Sequence, residues 1–113
     1  MAVFLAEFHW SGADLRGDLT SAAAELRSLP ADAPSSEIER AVAGAFIGRS
    51  VTVDPARFRD LVTVTVHNLD RNACLRAQSG SRRIEGLVVI ELVGYRSADE
   101  CGTRNDMTWR LMP

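Results

Sequence analysis

The chain has 113 residues and no lysine; all 13 of its basic residues are arginine. Together with the high alanine content, that bias reads as the imprint of a GC-rich genome rather than as chemistry. No apolar run approaches the ~20 residues that a membrane-spanning helix needs. Residues 1–10 lack the basic start and cleavage site of a secretory leader, so an exported form is expected to be a processed or trimmed piece. Histidine and cysteine number two each, and none stand at ligand spacings such as C-x-x-C or H-x-x-x-H, which argues against a metal site at His9, His67, Cys74 or Cys101. There is no G-x-S-x-G elbow, and Gly44-x-x-x-Gly48 is not followed by Lys-Ser or Lys-Thr, so it is not a phosphate loop. The acids stand singly or at helix starts, where the helix dipole accounts for them. No set of residues fills the roles that catalysis requires, and we expect no enzyme, no cofactor and no metal. There is also no internal repeat, low-complexity tract or linker long enough to divide the chain, which leaves one domain over residues 1–113.

The net charge of −2 gives no global attraction to nucleic acid or to an anionic membrane. The charge is uneven, however. Residues 1–48 carry three arginines against seven acids, and residues 49–113 carry ten against eight. A negative end and a positive end can steer head-to-tail association. Between Arg71 and Ile84 there is no acid at all, so Arg71, Arg76, Arg82 and Arg83 form a candidate patch for phosphates or an acidic partner. That stretch has no aromatic residue for base stacking, and four charges are a small footprint for nucleic acid. A solvated helix face and loop is the favoured reading of these four.

The segment around which the chain is organised is residues 61–74. Val62, Val64 and Val66 alternate with Thr63, Thr65 and His67, the period of two of a half-buried strand. Asp70 then caps a short helix over residues 71–79, with Gly80 as its stop. Cys74 lies in that helix, and Cys101 precedes the last strand. An even cysteine count permits one disulfide in an oxidising compartment; two buried thiols in a reducing one is the alternative. We read the pair as one staple. Closing a loop of roughly 28 residues is worth about 3.5 kcal/mol in the chain-entropy account. A third possibility treats Cys74, seven residues after His67, as a thiol with a nearby base.

Upstream, residues 1–10 are ambiguous between a helix start and an apolar arm. Residues 11–29 predict an amphipathic helix, capped at Ser11 and ended by Pro30, with Leu15, Leu19, Ala22, Leu26 and Leu29 as a stripe suited to a flat sheet. Ser36 and Glu39 have the spacing of a capping box ahead of a second, short helix. Residues 49–54 form a strand, antiparallel to the one at residue 61. Residues 80–83 read as an exposed link and 84–93 as a single strand. Its run Leu87-Val88-Val89-Ile90 has no polar interruption, so both faces are expected to be covered. Residues 94–102 are a loop, in which Tyr95, Arg96, Asp99 and Glu100 are candidate surface contacts. Residues 107–112 are the last strand, with Met107, Trp109 and Leu111 facing one way. Helices first and strands last argue for an α+β fold: an N-terminal amphipathic helix on an antiparallel sheet of about four strands, with a short helix after the second strand.

From residue 36 onward the order of these features resembles the globular head of a type IVb pilin. Gly44-Ala45-Phe46-Ile47-Gly48 leads into Val51-Thr52-Val53; the strand ending Val66-His67-Asn68-Leu69 runs into Asp70-Arg71-Asn72-Ala73-Cys74; and Cys101 shortly precedes Asn105-Asp106-Met107-Thr108-Trp109-Arg110-Leu111. The resemblance implies that the cysteines bracket a variable surface region and that the Thr-Trp strand closes the sheet. It further implies a filament subunit exported by a Gram-negative bacterium, held in the inner membrane and periplasm before assembly and on the extracellular pilus after it. Its partners would be other pilin subunits, with a host surface or DNA as further partners. The family's apolar half-helix, its only membrane contact, is missing from these residues, and residues 3–29 would be the lower, amphipathic part of that helix. The alternative within the family is a minor-pilin-like module that captures DNA or a host ligand through Arg71, Arg76, Arg82 and Arg83.

Overall fold

The computed structural model describes residues 12–55, 61–78 and 82–113, with side-chain surroundings from Leu15 onward. The expectations for residues 1–11, including the Ser11 cap, for the loop at 56–60 and for the Gly80 stop lie outside the described residues. Among the described residues, three helices and five strands follow in order: α1 (Gly12–Ser28), α2 (Ser35–Gly44), β1 (Val51–Pro55), β2 (Val62–Leu69), α3 (Arg71–Ala77), β3 (Arg82–Glu85), β4 (Val88–Val93) and β5 (Asn105–Met112), with one 3₁₀ turn at Ala98–Glu100. The strands make one antiparallel sheet in the order β1-β2-β5-β4-β3. The chain's last strand therefore sits in the middle of the sheet, between β2 and β4.

The three helices cover one face. Leu15, Leu19, Ala22, Ala23 and Leu26 of α1 are buried in one cluster with Ile38 and Val42 of α2, Ala73 and Cys74 of α3, and the inward residues of the sheet. Those inward residues keep strict alternation: Val62, Val64 and Val66 on β2, Val88, Ile90 and Leu92 on β4, Met107, Trp109 and Leu111 on β5. Fully burying a side chain such as Leu15 or Leu111 contributes about 1.5–3 kcal/mol, so this cluster supplies most of the drive to fold. Among the described residues, no helix lies on the other face of the sheet. Thr63, Thr65, Glu91, Val93 and Thr108 are half-buried there.

The sheet has five strands because residues 82–93 are a hairpin, not a link followed by one strand. Gly86 and Leu87 form the two-residue turn, and Gly86 has φ +63°, which glycine adopts without strain at the first turn position. A Cβ there would also come within 2.8 Å of Arg27 Nη1. The uninterrupted apolar run is accordingly not covered on both faces: Leu87 is 71% exposed at the turn, and Val89 is only half-buried on the open face. The capping box at Ser36 and Glu39 is likewise absent. Pro34 is the N-cap, and its carbonyl accepts from the Glu37 and Ile38 amides at 3.0 and 3.1 Å. Proline's fixed φ favours a helix start, which places Ser36 inside the first turn rather than ahead of it.

Pairing of β2 with β5 shifts between Val66 and Leu69: His67 and Asn68 together oppose Asp106. This bulge adds one residue, so Leu69 turns to the core where strict alternation would have put Asn68. Asn68 takes φ +60°, a conformation asparagine tolerates better than most residues, and its amide donates to Asp106 Oδ1 at 3.0 Å.

Candidate interaction surface

The staple forms as the cysteine count allowed. Cys74 and Cys101 are bonded, with Cα atoms 5.9 Å apart and both side chains buried. Asp70 caps α3 by accepting from the Ala73 amide at 2.8 Å, and that short helix carries Cys74 into the core. Both sulfurs are consumed by the bridge, so Cys74 has no thiol to act as a nucleophile.

A second fastening lies beside the bridge, and no local sequence pattern announced it. Asn105, the one buried polar side chain among the described residues, accepts from the Gly102 amide at 2.8 Å. It donates to the carbonyls of Leu69 and Gly102, both at 3.0 Å. Its amide group thus uses an acceptor and both donors in one place. The far end of α3 is tied as well, since Gln78 Nε2 donates to the Ser97 carbonyl at 2.6 Å. Within the loop, the Arg96 amide donates to Glu100 Oε1 at 2.9 Å, and Tyr95, at φ +51°, packs half-buried against the core. Of the segment between the cysteines, the described residues are therefore the end of α3, the β3–β4 hairpin and a pinned loop.

The arginines do not converge into one patch. Arg71, Arg76, Arg82 and Arg96 are exposed. Arg71 and Arg76 stand five residues apart on α3, which puts them on different sides of that helix. Arg82 and Arg83 alternate across β3: Arg82 lies opposite Glu91 on the open face, and Arg83 lies opposite Ile90 on the helix face. Arg83 turns under α1, where its Nη2 donates to the Arg16 carbonyl at 3.0 Å and to Thr20 Oγ1 at 3.5 Å. Burial there, and then the charge of Arg16, pull its guanidinium below the ordinary arginine value, while Glu85 acts in the opposite direction. Arg83 is a fastener between β3 and α1, so the candidate patch loses one of its four members.

His67, weighed above as a ligand and as a base for Cys74, instead meets two side chains that the sequence did not single out, Thr52 and Asp106, on the open face. His67 Nε2 lies 2.7 Å from Thr52 Oγ1, and its Nδ1 lies 3.4 Å from Asp106 Oδ2. The Asn68 amide, followed by the His67 ring, holds the Asp106 carboxyl below the usual aspartate range. The chain hydroxyl–imidazole–carboxylate has the order of a nucleophile, base and orienting acid. Its setting differs: Asp106 is 61% exposed, Thr52 is exposed, and all three sit on an open strand surface. What the trio does in this structure is link β1, β2 and β5. Next to it is a shallow depression of about 400 Å³ lined by His67, Asp70 and Arg104 among others. An apolar groove of about 330 Å³ lies elsewhere, between Leu26, Leu29, Pro30, Ile38 and Leu87. Among the described residues, no group of three or more His, Cys, Asp or Glu side chains could hold a metal ion, and no helix is long and apolar enough to cross a membrane. Compared with protein-family models, with curated proteins and with solved structures, the chain matches none of them.

Proposed function

We propose that the chain is the globular head of a type IVb pilin-like subunit, a structural component of a surface filament. One observation carries this reading: the bridge from Cys74 to Cys101 ties the helix after the second strand to the loop before the last strand. Of the segment it brackets, β4 is built into the core through Val88, Ile90 and Leu92, while the turn at Gly86 and Leu87 and the pinned loop at residues 96–100 are exposed, and it is there that sequence can vary without touching the core. The rest supports a body built to hold shape. The inward faces of three helices and the sheet make one core, and the exposed arginines are dispersed. The partners in this role are further copies of the subunit, and the location is the extracellular pilus.

The test is immunogold labelling of cells that produce the chain from its natural locus, with filaments sheared from the surface and probed separately. Labelled filaments of uniform width are expected. Protein confined to the cell interior, with no filament labelled, overturns the reading. Reading the coding sequence upstream adds an independent check: a short basic leader and an apolar helix of ~20 residues are expected.

A further inference from the structure

β3 is an outer strand of the sheet, with β4 on one side and no strand on the other among the described residues. Glu85 and Val88 face each other across the two-residue turn, which makes them a hydrogen-bonded pair. The ladder alternates from there, so the main-chain N–H and C=O of Ile84 point away from β4, toward the open edge. The Ile84 side chain is 69% exposed. It lies opposite Val89, and Val89 lies opposite Met112, so an apolar row crosses the open face and ends at this edge. Flanking Ile84, Arg83 and Glu85 both lie on the helix face, one of each sign.

We propose that β3 pairs antiparallel with β3 of a second copy about a twofold axis at Ile84, joining the two sheets into one. In that register Ile84 faces Ile84 and exchanges both main-chain hydrogen bonds, which is what its outward groups require. Arg83 then faces Glu85 of the other copy, and Glu85 faces the other Arg83: two opposite-charge cross-strand pairs from one self-complementary sequence. The neighbouring symmetric register, centred on Arg83, sets two guanidinium groups against each other at positions whose main-chain groups point inward. Charge and ladder geometry therefore select the same pairing. Arg83 Nε is buried with no acceptor among the described residues, and Glu85 of the second copy brings a carboxylate to that face. Arg82, the charge that would ordinarily guard an edge, falls opposite Gly86, where nothing repels it. The other edge offers no such match. In β1, Pro55 has no N–H to donate, and pairing about Val53 sets Thr52 against Asp54. The contact is isologous and closes on itself, so it differs from the head-to-tail packing of a filament and stands apart from that reading.

Sedimentation equilibrium of the 113-residue chain, from about 1 μM to 1 mM, tests the pairing. A monomer–dimer equilibrium is expected, weakened about tenfold or more by Ile84→Lys and by Glu85→Arg, since each sets like charges across the axis. Hydrogen exchange at the Ile84 amide is expected to slow as concentration rises. A chain that stays monomeric throughout overturns the proposal. So does a dimer that neither substitution weakens, or one that leaves the Ile84 amide unprotected.

Discussion

Asn105 on β5 donates to the Leu69 carbonyl at the end of β2, 3.0 Å away, inside a region from which water is excluded. The residues it joins are those that the β2 bulge sets in register. The same side chain closes the turn at Gly102, one residue after the bridged Cys101. Bulge, bridge and terminal strand thus share a single buried amide.

Removing that amide strands three main-chain partners at once. Asn105→Ala is expected to lower stability by about 2–3 kcal/mol, more than one exposed hydrogen bond contributes. Asn105→Asp keeps the acceptor for Gly102 but loses both donors and buries a charge, so it is expected to be worse at neutral pH than at low pH. Urea denaturation at pH 7 and pH 4 measures both.

The bridge has its own expected magnitude. Replacing Cys74 and Cys101 by serine is expected to cost about 3.5 kcal/mol, on the chain-entropy account. Small domains have net stabilities of about 5–15 kcal/mol, so the variant is expected to lie near its unfolding transition at 37 °C. Thermal melts with and without reductant check this, and the serine variant is expected to ignore reductant.

The demand on Gly86 is its backbone. Gly86→Ala places a Cβ on a residue at φ +63°, and the flexible end of Arg27 must move aside for it. The expected loss is about 1–2 kcal/mol, with the β3–β4 hairpin loosening before the rest. Hydrogen exchange at the Val88 to Val93 amides separates local opening from global unfolding.

Asp106 gives a pH signature whose sign follows from its environment. Its folded-state pKa is depressed, first by the Asn68 amide and then by His67. Its contribution is therefore fully present above the unfolded aspartate value of about 3.9 and is lost as pH falls through the lower folded value. The difference in stability between the natural chain and Asp106→Asn is expected to shrink as pH falls below about 4. Acid titration of the two proteins in urea measures that window.

What the sequence disclosed, and what it hid, divides along the range of the forces involved. The β2 alternation, the Asp70 cap and the Leu15–Leu19–Ala22–Leu26 stripe are local patterns, and each forms where its spacing put it. The hairpin was missed because one glycine, Gly86, was all that marked its turn. The run from Leu87 to Ile90 reads as one buried strand, whereas only alternate members face the core. The Ser36 box failed because Pro34, two residues earlier, competes for the same helix start and is already set for it. The Asn105 bond to Leu69, the β2 bulge and the Thr52–His67–Asp106 link depend on residues 15 to 39 positions apart, and no local pattern reports such contacts. The arginines show the same limit from the other side. Four charges close together in sequence are divided by the alternation of β3 and the turn of α3.

The most direct test of a disulfide-stapled pilus head is mass spectrometry, without reductant, of filaments sheared from producing cells. The account predicts a peptide pair linked through Cys74 and Cys101, recovered from the filament fraction. Contradiction would be the same protein found only inside the cell, with both cysteines open to alkylation.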